Sequence, residues 1–119
     1  MGTFHVPMTV ANPLTGASLV VDALVDTGST LTMLPPSVVQ HVGLEAEDQA
    51  EAELADGGVR TLAIGTARLT VQGRTRVTPV LFAASDQAGA LLGAVTLEAM
   101  GWAADPVGRR LVPQRLLLA

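Results

Sequence analysis

One stretch constrains this chain more than any other. Leu19 to Leu34 reads Leu-Val-Val-Asp-Ala-Leu-Val-Asp-Thr-Gly-Ser-Thr-Leu-Thr-Met-Leu, two apolar, β-rich runs separated by Asp26-Thr27-Gly28-Ser29. The spacing predicts two core strands joined by a tight turn that carries a carboxylate. Gly28 lets the backbone turn sharply and come close to another chain or a ligand, and the Thr27 hydroxyl can tie one such turn to another. Asp, Gly and Ser are also ordinary turn formers, so Asp26 is either a turn residue or a chemical tool.

Length narrows the choice. At 119 residues the chain is one domain with a single core, too short for two lobes. It is 49% hydrophobic, with no uncharged apolar segment near the roughly 18 residues that a membrane span needs. The surplus of apolar residues points to a buried subunit interface rather than a membrane. A formal charge of -4 argues against a nucleic-acid partner, because phosphate binding draws on excess Lys and Arg. The absence of cysteine excludes disulfides, thiol catalysis and cysteine-held metals. Met-Gly-Thr-Phe-His-Val-Pro lacks the basic start and apolar block of a signal peptide, so the default expectation is a cytoplasmic address.

Along the chain, strands are expected over Thr3 to Val10 and Ala17 to Val25, joined through the turn-rich Asn12-Pro13-Leu14-Thr15-Gly16. Asp22 shares a strand face with Asp26 but lies roughly 13 Å away at strand rise, too far to share a proton. Thr30 to Leu34 is a strand stopped by Pro35-Pro36, and Ser37 to Val42 a short helix ended by Gly43, with His41 suited to its last turn. Glu45 to Ala55 has helical composition, but its acids and alanines alternate with period two, which favours a strand with a solvated acidic face. Asp56-Gly57-Gly58 is then a hairpin tip before Val59 to Ile64. Ala67 to Val71 and Arg74 to Phe82 form another hairpin around Gln72-Gly73, with Arg74 and Arg76 on a solvated face. Ser85 to Gly89 is a polar loop. Ala94 to Met100 forms a second helix ended by Gly101, and Trp102 to Pro113 a last hairpin.

With Asp26-Thr27-Gly28-Ser29 between apolar runs and Leu91-Leu92-Gly93 opening a helix far downstream, the chain resembles the retropepsin-like aspartic proteases over nearly its whole length. The resemblance implies an all-β domain over residues 1 to 119, a closed or partly open barrel of hairpins with one or two short helices, acting as a homodimer on a peptide or protein substrate. It implies catalytic roles for Asp26, Thr27, Gly28 and Ser29: Asp26 of each subunit supplies one carboxyl, Thr27 interlocks the loops, Gly28 admits the substrate and Ser29 bonds the outer oxygen of Asp26. A hairpin at about 50–64 becomes a flap offering Gly57 and Gly58 to the substrate. Leu91 and Leu92 line substrate pockets or simply fill the core, and the tail 114–119 adds a strand shared between subunits. No cofactor or metal is implied, since two carboxyls and a water suffice.

The match has gaps. Retroviral relatives commonly carry an acidic residue and an Arg where this chain has Thr30 and Ala94, and the hairpin lacks the aromatic flap residue of the pepsins. The expectation is an aspartic endopeptidase; the rival is a non-catalytic dimerisation or peptide-binding module of the same fold.

Overall fold

A computed structural model describes residues 3–116 and Leu118. Its elements are β1 (His5–Ala11), β2 (Ser18–Val25), β3 (Thr32–Leu34), α1 (Pro36–Val42), β4 (Asp48–Glu53), β5 (Val59–Val71), β6 (Arg74–Phe82), β7 (Ala90–Leu92), α2 (Ala94–Met100), β8 (Trp102–Asp105) and β9 (Arg110–Pro113). Seven strands make one sheet in the order β1-β2-β7-β3-β6-β5-β4, and a β1–β5 pairing closes six of them into a barrel with β4 outside. The all-β barrel with two short helices is therefore as expected.

Alternation builds the core. Val6, Met8 and Val10 of β1 and Ala67, Leu69 and Val71 of β5 point inward and meet Leu34, Val80 and Leu92. Pro7, which has no N–H to give, lies where β1 pairs with β2 alone; the contact with β5 begins only at Thr9. Both helices end on a left-handed glycine, Gly43 (φ 71°) and Gly101 (φ 75°). Asn12 reaches across to donate to the carbonyls of Val42 and Gly43, closing the end of α1. The Gln72-Gly73 turn has both residues at positive φ, 48° and 83°, the primed geometry that suits a tight hairpin.

Two expectations are corrected. Residues 59–71 form one strand rather than two, because Gly65 does not break it. A Cβ there would come 2.8 Å from the Phe82 ring and 2.9 Å from the Glu45 carbonyl, so glycine serves close packing inside a continuous strand. Arg74 and Arg76 are not merely a solvated face. Arg74 Nη1 donates to Met100 O (3.0 Å) and Gly101 O (2.7 Å) and stacks 4.0 Å over Trp102, while Arg76 Nε donates to Ala99 O (2.9 Å). Both arginines satisfy the carbonyl end of α2, where its dipole is negative.

Of the tail, Gln114 donates its amide to Gly101 O (2.8 Å), and β9 ends at Pro113. Leu117 and Ala119 lie outside the described residues, as do Met1 and Gly2, so the expected shared strand at 114–119 falls partly there.

Candidate active site

The site follows from one topological fact. β2 and β3 are consecutive in the chain but not neighbours; β7 lies between them, parallel to β2 and antiparallel to β3. The 26–31 loop therefore has to arch over the end of β7 and the start of α2, and it is tied down there. Asp26 N–H donates to Leu92 O (3.0 Å), Ala94 N–H to Ser29 O (2.8 Å) and Val95 N–H to Thr30 O (2.9 Å). Two otherwise orphaned amides at the start of α2 are thus satisfied by the loop. Gly93 has to be glycine, since a Cβ would meet the Leu31 carbonyl at 2.5 Å.

Below the loop lies a buried chain of hydroxyls. Thr32 Oγ1 is 2.8 Å from Thr96 Oγ1, which is 3.0 Å from Thr78 Oγ1, and Thr32 Oγ1 also accepts from Gly93 N–H (3.1 Å). All three threonines are buried. They join β3, α2 and β6 through polar groups with no access to water, so each bond is costly to break.

Asp26 itself is half-buried. Its Oδ1 accepts from Gly28 N–H (3.0 Å) and its backbone carbonyl from Ser29 N–H (3.1 Å), a closed turn that aims the carboxylate. Its other oxygen accepts no hydrogen bond among the described residues. Gly28 does not adopt a positive φ, and a Cβ there would sit 3.3 Å from Asp26 Oδ1, close enough to nudge that carboxylate. Ser29 departs from expectation. Its hydroxyl donates to Leu31 O (2.7 Å), so its one proton holds the loop rather than the outer oxygen of Asp26. Thr27 and Thr30 are exposed.

The carboxylate opens onto a cleft of about 790 Å³ between this loop and the β4–β5 hairpin. Its floor is an apolar row across three strands, Leu81, Met33 and Leu91, in mutual register. Leu91 therefore lines the cleft. Leu92 does not: one residue on, it points the other way and is fully buried in the core, giving the site only its carbonyl. Gly57 reaches the cleft and Gly58 is not among its lining residues. The hairpin tip is a three-residue loop closed by Gly57 N–H to Leu54 O (2.9 Å) and Leu54 N–H to Gly58 O (2.8 Å), with Gly57 at φ 86°. It is not the two-residue type I′ turn that the same letters allow.

Met33, Leu81, Thr32, Thr78 and Thr96 escaped the sequence reading. Only Met33 carried a signal, its place within the motif's trailing strand. The others need the β3–β6 and β3–β7 registers, which no local pattern supplies. Asp22 is exposed, in β2, away from the cleft lining. His41 is exposed in the last turn of α1. Among the described residues, no three His, Asp or Glu side chains gather into a group able to hold a metal ion, and no helix is long and apolar enough to cross a membrane.

A barrel whose loop lifts an Asp-Thr-Gly carboxylate into a roofed cleft is the architecture of the retropepsin-like class. The aspartyl protease family profile matches residues 6–96, and the chain belongs to that family. Solved structures agree on the fold. A retropepsin-like aspartic protease from Rickettsia conorii is 21% identical, with a TM-score of 0.61 over 87% of this chain and 84% of its own. The retroviral protease-like domain of a Leishmania major protein is 15% identical, with a TM-score of 0.64 over 95% of this chain and 85% of its own. Simian foamy virus protease is 19% identical, with a TM-score of 0.55 over 78% of this chain and 90% of its own. No curated protein matches the chain in sequence.

Proposed function

We propose that the chain is an aspartic endopeptidase whose working unit is a homodimer, with Asp26 of each subunit facing its counterpart across a two-fold axis. The observation that carries the reading is the Asp26 carboxylate, aimed by its own turn into a cleft of about 790 Å³ roofed by the β4–β5 hairpin. Aspartic-protease chemistry needs two carboxyls. One ionised group takes a proton from a water held between them, while the protonated one polarises the scissile carbonyl. Close carboxylates resist double ionisation, which sets up this division of labour, and the pair then titrates as a unit. Water attacks the carbonyl carbon, the tetrahedral intermediate collapses, and the amine leaves with a proton; no covalent enzyme intermediate forms.

In this reading Thr27, which is exposed, bonds across to the partner's loop, Gly28 leaves room for the substrate backbone, and Gly57, whose N–H is already given to Leu54 O, offers its carbonyl from above. Leu91, with Met33 and Leu81, takes apolar substrate side chains. Because Ser29 and Thr30 are held by α2 within one subunit, the loop keeps its shape without the ion pair that Thr30 and Ala94 cannot make.

The test is a peptide-library digest across pH with wild type and Asp26→Asn, alongside a solution mass. Cleavage by wild type, lost by at least about 10³-fold in the isosteric variant, is expected for removal of a reacting group. Activity surviving in Asp26→Asn overturns the mechanism; a peptide bound but never cut favours the binding module.

A further inference from the structure

Beside the main cleft, and sharing Met33, Leu54, Leu62 and Ala88 with it, lies a side pocket of about 280 Å³. Its base is apolar. Its one charged lining residue is Arg60, with the polar Ser85 and Gln87 at the rim. Arg60 comes from β5, opposite Ala52 of β4, and its diagonal neighbours on that face are Ala50 and Leu54. Glu51 and Glu53 have the other parity; Glu53 lines the main cleft, but neither acid lines this side pocket and neither pairs with Arg60. Asp105 with Arg110 is the one side-chain ion pair among the described residues, so Arg60 has no carboxylate partner there. By contrast Arg74 and Arg76, on β6, are occupied with the carbonyls that end α2.

We infer that this pocket is an acid-selecting subsite, in which Arg60 receives the carboxylate of a substrate Glu or Asp whose methylene stem packs on Met33, Leu62 and Ala88. The inference rests on the cleft being the peptide site proposed above. An apolar base beneath a lone guanidinium fits an amphipathic acidic side chain better than a purely apolar one, because the planar donor fork pairs with a carboxylate through two hydrogen bonds. Lys or Arg in the same place is opposed by like charge. The pocket is open to solvent and Arg60 is exposed, so the preference is modest and weakens with salt. In a two-fold pair the pocket recurs on both sides of the scissile bond, which places the acid preference at two symmetric substrate positions.

The experiment is a random dodecapeptide selection on immobilised Asp26→Asn protein, repeated with Arg60→Met, Arg60→Glu and Arg60→Lys added, at low and at 0.5 M salt (about a 4 Å screening length). Expected is roughly 3- to 10-fold enrichment of Glu and Asp at one or two positions, weakened but still present in Arg60→Lys, lost in Arg60→Met, turned toward Lys and Arg in Arg60→Glu, and reduced by salt. Because Arg60 is exposed, unchanged melting temperatures should accompany these shifts. The same profile in all variants, enrichment of apolar residues alone, or no peptide bound overturns the inference. Selection needs no cleavage, so acid enrichment in a protein whose wild type never cuts would sink the endopeptidase reading and leave this subsite standing.

Discussion

The two walls of the cleft are built on opposite principles. The floor is over-determined: the Asp26 loop gives carbonyls to Ala94 and Val95, takes the Leu92 carbonyl, and stands on three buried threonines. The roof is a bare hairpin. β4 is bonded to β5 on one side only, and Glu51, Glu53 and Asp56 to Arg60 are all exposed. Such contrast suits a site that has to hold one group still while letting a chain in and out, since closing elements are drawn from the least stable parts of a fold. It teaches that substitutions in the floor act on the fold, and those in the roof on the substrate.

The largest expected effect is Gly93→Ala. The new methyl would run into the Leu31 carbonyl, backbone that cannot swing aside, and overpacking of this kind should cost about 3 kcal/mol in denaturant unfolding. A variant that unfolds like wild type would mean the loop gives way, and the contrast between the walls would dissolve. Next is Thr32→Val, the same shape without the hydroxyl. It strands the Gly93 amide and one end of the threonine chain in a dry site, at about 2 kcal/mol, whereas Thr96→Ser keeps the hydroxyl and should lose less than half of that. Amide exchange sharpens the comparison: the Asp26, Ala94 and Val95 amides should exchange with the slow core, and those on the outer edge of β4 orders of magnitude faster.

In the roof, Gly57→Ala meets no atom but must hold a left-handed φ, so it should cost about 1 kcal/mol in stability and show chiefly as a raised KM. Smallest is a pH effect far from the cleft. The Gly108 amide, with Arg110 beside it, holds the Asp105 carboxyl below the usual carboxylate range. The folded state therefore binds that proton less readily than the unfolded chain. Its contribution is present above the ordinary Asp value and fades as pH falls through the lowered one. Asp105→Asn should narrow the gap between melting temperatures at pH 6 and pH 3 by a degree or less; widening would reverse the sign.

The Asp26 loop and the segment that anchors it were largely legible in the sequence. Asp26-Thr27-Gly28-Ser29 between apolar strands and Leu91-Leu92-Gly93 before a helix are local patterns, and both ends of the loop's anchorage lie within them. What could not be read was register. Nothing local says that Leu91 faces the cleft while Leu92 faces the core, because a one-residue slip exchanges them. The threonines are 18 and 64 residues apart and look like ordinary strand and helix residues until the barrel closes. The two strands expected at 59–64 and 67–71 are one, because the Gly65 between them answers crowding from Phe82 inside a continuous strand. Arg74 and Arg76 read as surface because their partners are carbonyls at the far end of α2, which have no signature of their own.

In the proposed mechanism one acid per chain becomes two only when chains pair, and a mixing experiment tests that directly. With total chain concentration held well above that needed for association, wild type is diluted with Asp26→Asn and cleavage of one peptide is measured. If each site draws its carboxyls from two subunits and the mixed pair is inactive, activity falls as the square of the wild-type fraction, to a quarter when the two are equal. A fall in simple proportion, to a half, would mean that each chain works alone.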